Sequence, residues 1–442
     1  MKQSAEGAAV GTLKSAATRP ARAGMDRLLY WRWYPGTFHL LFFAGLVVLI
    51  YFAFNPVRRA EGNLATEVVW KLWWPGLPFI LLLGGRIWCG ICPFGAAADF
   101  AARLGSKSAA PSLLRSWGPW MGALSVFFFG LAFLALGLEE NPGATGVILI
   151  AMILLAFGMT VLYKGRTFCR YLCPVGMITR VYSFFSWLQP VGGGVRYKAV
   201  SCPAGQSPQS LRQPSQCQMC GACTLPDVSG IRTTFGVSGG RLPGVREFGR
   251  PEAFLSLLLL GLMAADSVRM TPLFARYQQF ALPYFDYNYR LSVIGGVSAL
   301  VGAVLAVQLL GSWLVWRQSR DSRAFAGMAF SYLPLSLGVF LALALQHLRY
   351  GLWPSLETVM AESRLFGWDG HMPPDNVYFT SIPLKSVQFV ILGIGLYLSW
   401  RLTRSGLGGE SSRGGIASRR FMVLAAAAGF GYLFLIPMSG AC

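Results

Sequence analysis

The sequence predicts an all-α integral membrane fold: a polytopic helical bundle of about nine spans with a cytoplasmic, cysteine-rich iron–sulfur loop. Three observations predict it. Of 442 residues, 54% are hydrophobic and only 13% charged, whereas soluble domains are about a quarter charged. Apolar runs long enough to cross a bilayer recur nine times. The Lys and Arg residues between those runs alternate in abundance, as they do around membrane spans.

The expected spans are Phe38–Phe54, Trp70–Trp88, Pro119–Leu138, Thr145–Tyr163, Ala253–Val268, Leu291–Trp316, Ala324–His347, Val387–Leu402 and Phe421–Pro437. With the N-terminus inside, segments 1–35, 89–117, 164–251, 317–323 and 401–420 hold 28 Lys and Arg, against eight on the other side. Long segments obey this rule poorly, but without 164–251 the balance is still 17 to eight. The expectation is a multi-pass protein of the cell inner membrane, N-terminus cytoplasmic and C-terminus external. Four regions result: a basic tail over 1–35, a duplicated two-span unit over 36–180, a cluster loop over 181–251, and a second membrane half over 252–442. The net charge of +20 belongs to cytoplasmic loops rather than nucleic-acid binding, since no basic recognition motif accompanies it.

Two stretches are versions of one another. Residues 85–95 read Gly-Arg-Ile-Trp-Cys-Gly-Ile-Cys-Pro-Phe-Gly, and residues 165–176 read Gly-Arg-Thr-Phe-Cys-Arg-Tyr-Leu-Cys-Pro-Val-Gly. Each comes after an apolar run and offers two thiols three or four positions apart. Neither supplies four ligands, but Cys89, Cys92, Cys169 and Cys173 together do. In this frame the proline stops a helix and the glycine after it allows a sharp turn. Arg86 and Arg166 balance thiolate charge, and the aromatic residue before the first cysteine shields the centre.

Residues 190–250 are too poor in apolar side chains to form their own core. They hold Cys217, Cys220 and Cys223 at the spacing of the first three ligands of a bacterial ferredoxin cluster. Cys202, with Pro203 after it, completes that set. Eight of nine cysteines thus divide into two tetrads, with Cys442 left over. Zinc is the competing occupant of any Cys-x2-Cys pair. The Cys-Pro endings, the cysteine triplet and the membrane edge favour two 4Fe-4S clusters. Of the three histidines, His39 and His347 lie about a bilayer apart and cannot bind one haem, and His371 is in a loop. His39 is a packing residue or a proton acceptor for a quinol. His371-Met372 is a faint copper-ligand hint.

At these residues the chain resembles the membrane-bound ferredoxin-type 4Fe-4S proteins with repeated Cys-x3-Cys-Pro motifs. Their members include the quinol dehydrogenase component of periplasmic nitrate reductase and the regulator or maturation protein of nitrous-oxide reductase. The resemblance covers about residues 36–225. It implies that Cys89, Cys92, Cys169 and Cys173 are the motif cysteines, and Cys217, Cys220 and Cys223 the ferredoxin cysteines. The first motif here is one residue shorter than usual, and residues 252–442 fall outside the resemblance. The implied role is that of an electron-transfer component, quinol dehydrogenase-like rather than a stand-alone enzyme. It would join a quinone pool or cytoplasmic donor to an external redox protein or its maturation. The alternatives are a copper reductase or assembly factor, and a redox sensor or scaffold without turnover.

Overall fold

The computed structural model describes residues 29, 31, 33–55, 62–105, 108–192, 202–203, 211, 214–222, 231–235, 249–319, 324–363, 384–405 and 413–436. Helix α1 (Gly36–Phe54) is succeeded by α2 (Leu64–Thr66), a π-helical segment (Glu67–Trp73) and α3 (Trp74–Gly84). Short helices α4 (Ile87–Ile91) and α5 (Pro93–Leu104) close the first unit. The second unit runs through α6 (Ser112–Leu136), α7 (Pro142–Leu162), α8 (Thr167–Tyr171) and α9 (Pro174–Tyr182). Strands β1 (Leu188–Gly192) and β2 (Ile231–Phe235) pair antiparallel, Leu188 opposite Phe235. The remaining helices are α10 (Arg250–Arg269), α11 (Pro272–Ala281), α12 (Tyr289–Ser319), α13 (Ala324–Ser363), α14 (Leu384–Ser405) and α15 (Arg413–Leu435).

Among the described residues, seven helices are long and apolar enough to span a membrane: α1, α6, α7, α10, α12, α13 and α14. The apolar runs of the sequence lead one to expect nine, and the two departures have local causes. The stretch preceding the first cysteine pair is helical from Leu64 to Gly84 but changes register within it. Pro75 has no N–H to donate to Lys71, so the backbone widens, and Trp74 donates to Val69, five residues back. The last helix begins with Arg413 and carries Arg419 and Arg420, which dilute its apolar run.

The turns obey their sequence. Gly137, at φ 55°, ends α6, and Asn141 caps α7 by accepting from Ala144 N at 3.0 Å. Helix α13 is the centre of the bundle: 94% of its spanning window is buried, against 11% for α1. It packs against α3, the π segment, α10, α12 and α14, so the second half is packed into the first rather than standing apart.

The π segment carries a buried acid. Glu67, 2% exposed, accepts from Lys71 Nζ and from Ser355 Oγ, both at 2.6 Å, tying the first unit to α13. Removing one partner of a buried ion pair strands the other. Glu67→Ala is therefore expected to destabilise the protein by about 3 kcal/mol. Ser355→Ala should cost about 1 kcal/mol, and thermal melts in detergent measure both.

Candidate metal centre

The two cysteine motifs have the same backbone as well as the same letters. Gly85 and Gly165 take positive φ (59° and 81°) and turn the chain out of the preceding helix. A one-turn helix, α4 or α8, carries the first cysteine. The second, Cys92 or Cys173, is extended (ψ 135° and 116°), and the proline after it starts the next helix. The proline thus begins a helix at its first position, where its missing N–H is no loss. The glycine that turns the chain is the first of the frame, not the last.

The later glycines serve close approach. A Cβ on Gly176 would lie 2.9 Å from the Cys169 carbonyl and 3.5 Å from Cys173 Sγ. One on Gly90 would meet the Met219 carbonyl at 2.5 Å. No side chain fits there without a shift.

Cys89, Cys92, Cys169 and Cys173 line one cleft, with Trp73, Trp88, Phe94, Val175 and Gln218 among its walls. Among the described residues, no three His, Cys, Asp or Glu side chains converge on a single ion position. A four-thiolate zinc site needs sulfurs about 3.8 Å apart, given a Zn–S bond of about 2.3 Å. The four thiols instead line one shared cleft.

The donors around the cleft fit a negatively charged cluster. Gly176 N donates to Cys173 Sγ at 3.3 Å, Thr179 Oγ1 lies 3.3 Å from Cys89 Sγ, and Arg86 Nη2 lies 3.9 Å from it. Trp73 Nε1 is buried in the cleft wall with no hydrogen-bond acceptor among the described residues. An orphan donor of this kind suits a cluster sulfur. Burial pushes the Cys92 thiol up to about 12 and the Cys169 thiol up to about 11. Metal loading must therefore expel protons and becomes harder as pH falls.

Arg166 joins this cleft to the loop. It is 1% exposed, donates through Nε and Nη2 to both Asp99 oxygens (2.8 and 2.6 Å), and through Nη1 to the Cys89 carbonyl at 2.9 Å. Its own backbone N–H donates to Pro203 at 3.0 Å, which brings Cys202 alongside. Arg86 Nη1 donates to Ser215 at 2.8 Å, and Tyr34 Oη to Met219 at 2.6 Å. Cys217, Met219, Leu211, Leu188, Tyr34 and Leu29 form a small apolar core of their own. Burial raises the Cys220 thiol, while the Arg166 charge works to lower it. The Cys202–Pro203 turn and the strip from Ser215 to Cys220 thus dock on the two motif arginines, with Gln218 in the cleft wall. Cys223, Cys442, His371 and Met372 lie outside the described residues.

His39 donates through Nε2 to the Gly90 carbonyl at 2.8 Å, with Nδ1 3.9 Å from Asp99. It buttresses the first motif. Sequence reasoning misses a second set of ionisable groups at the far end of the bundle. Glu139, 4% exposed, lies 3.4 Å from both Arg269 Nη2 and His347 Nε2, and Arg269 Nε lies 3.8 Å from Asp266. Four ionisable letters inside or beside apolar runs are the available signal.

Comparison with known proteins agrees with the duplicated cysteine frame. Residues 66–109 and 145–191 match a family model described as a 4Fe-4S binding domain, one match to each repeat. Protein NirI of Paracoccus denitrificans (strain Pd 1222) is 27% identical over an alignment of 196 residues that covers 38% of this chain and 28% of that protein. The chain thus aligns with less than a third of the curated relative's length. No solved structure matches the chain. With seven span-capable helices, the duplicated match makes this chain an integral membrane iron–sulfur protein that resembles the ferredoxin-type 4Fe-4S proteins.

Proposed function

We propose that this chain passes electrons between a quinol or cytoplasmic donor and a redox enzyme, or the maturation of one, through two 4Fe-4S clusters. Cys89, Cys92, Cys169 and Cys173 hold the first; Cys202, Cys217, Cys220 and Cys223 hold the second. The observation that carries the reading is Arg166, a buried cation whose side chain touches the first motif and whose backbone touches the Cys202–Pro203 turn. When bound, a cluster of this type takes up and gives back one electron at a time.

The residues supply the rest. Arg86 and Arg166 neutralise charge where water is excluded, which favours the added electron. Trp73, Trp88 and Phe94 close the cleft against solvent. Asp99 fixes the guanidinium of Arg166 in a bidentate pair, so its position does not relax when charge changes. On this reading both tetrads face the cytoplasm, with the C-terminus external. The quinone pool or a cytoplasmic donor lies on one side of the exchange and an external redox protein on the other.

Purified without oxygen, the protein is expected to carry about eight irons per chain. Cys89→Ser should remove one reduced-cluster signal in electron paramagnetic resonance, and Cys217→Ser the other. A preparation holding zinc in place of iron overturns the proposal. Arg86→Gln keeps a donor but loses the charge. It should move one midpoint potential negative by about 60 mV, a tenfold change for a one-electron couple, as read by redox titration. Reporter fusions at Ser405 and Leu435 should report the cytoplasmic and external sides respectively.

A further inference from the structure

A second cleft lies between the two membrane halves. Trp74, Phe129, Phe133, Ile178, Leu262 and Met263 are among its walls, and Asp266 is its one ionisable residue. Asp266 Oδ1 is sealed from solvent and accepts no hydrogen bond among the described residues; its nearest charged partner is Arg269 Nε at 3.8 Å. A carboxylate inside an apolar wall of a membrane bundle is costly, and such groups mark proton or substrate paths. The cleft is small, about 40 Å³, but a mostly apolar cleft with one polar group at its end suits an amphipathic ring compound that parts its walls on entry.

Two further observations say what that compound exchanges. The first is an aromatic connection to the cysteine cleft. Trp88 and Trp73, which line that cleft, have ring centroids 5.3 Å apart; Trp73 and Trp74 come next at 6.2 Å; Trp74 then meets Phe129 at 5.8 Å and Phe133 at 6.0 Å. The two clefts are thus joined by packed rings, a continuous medium for electron tunnelling.

The second is a stored proton beside Asp266. His347 Nδ1 lies 3.0 Å from the Leu343 carbonyl, which can only accept, so Nδ1 carries a hydrogen. His347 Nε2 faces Glu139 Oε1 at 3.4 Å. That is an ion-pair distance when the imidazole is protonated, so the pair can hold a proton. The groups facing Asp266 are therefore Arg269 on its own helix, His347 from α13, and Glu139 from the turn between α6 and α7.

We propose that this cleft seats a hydroquinone and that Asp266 takes its protons. The inference rests on the electron-carrier reading and gives the lipid-soluble donor a site. Oxidation of the hydroquinone breaks two O–H bonds and releases two electrons and two protons. The electrons go singly to two one-electron acceptors of the iron–sulfur class in the cysteine sites. The protons go in turn to the Asp266 carboxylate, and from it to the His347–Glu139 pair and out. Met263, an unbranched and adaptable side chain, is the wall that yields to the ring.

The test uses the full-length protein, purified anaerobically in detergent, with a short-tailed naphthohydroquinone as donor and its azido derivative as photolabel. The label is expected on peptides of α6 and α10. Asp266→Asn should slow reduction by the hydroquinone about a hundredfold while dithionite still produces the full reduced signal. Met263→Trp, which fills the cleft and leaves Asp266 in place, should abolish labelling. If the hydroquinone reduces the wild type, and both variants match it in rate and labelling, the site is wrong and the electron-carrier reading stands. If dithionite reduces the wild type but the hydroquinone neither reduces nor labels it, the quinol reading falls and this site with it.

Discussion

Arg166 is the contact on which the rest of this structure depends. A guanidinium with 1% exposure needs acceptors close by to offset its loss of water. Here the acceptors are both oxygens of Asp99 and the Cys89 carbonyl. Each comes from the first repeat, whereas Arg166 opens the second. One ion pair therefore docks the repeats at the level of their thiols and leaves a positive charge beside them. Arg86, in the matching place of the first repeat, reaches across to the Gly176 carbonyl of the second. The two arginines clasp the cleft from opposite sides, and Arg86 also grips the 215–219 strip through Ser215.

The duplicated frame is legible because it rests on residues whose chemistry is local. Cysteine pairs, the Cys-Pro step and the Gly-Arg entry can be read as letters, and the backbone repeats them. The turning role expected of the later glycines falls instead to the earlier ones, because sequence does not distinguish a glycine needed for φ from one needed for closeness. Gly176 is crowded by the Cys169 carbonyl and Gly95 by the Arg166 guanidinium, and the Arg166 contact is made by a distant part of the chain. The π register near Pro75 is hidden too, since a proline at that point reads equally as a kink or a break.

The ionisable groups at the far end are harder to see for a physical reason. Glu139 sits just past one apolar run, Asp266 near the end of another, and His347 at the end of a third. Each alone is an ordinary flank. Only the packing of α13 against α10, and of α10 against α6, brings them to within 4 Å of one another in successive pairs. Span counting misses such a set because it treats helices one at a time. The burial of α13 on nearly all sides is likewise invisible: its sequence is no more apolar than that of α12, which is largely exposed.

The repeat has a consequence for how such a molecule could arise. One copy of the helix–turn–Cys-Pro unit offers two sulfurs, so a lone ancestor could complete a tetrad only against a twin, across a dyad. Fusing the genes would make that pairing permanent and free each copy to diverge. The shortened spacing between Cys89 and Cys92, beside the longer one between Cys169 and Cys173, is the mark such freedom leaves: a homodimer would have had to keep them alike.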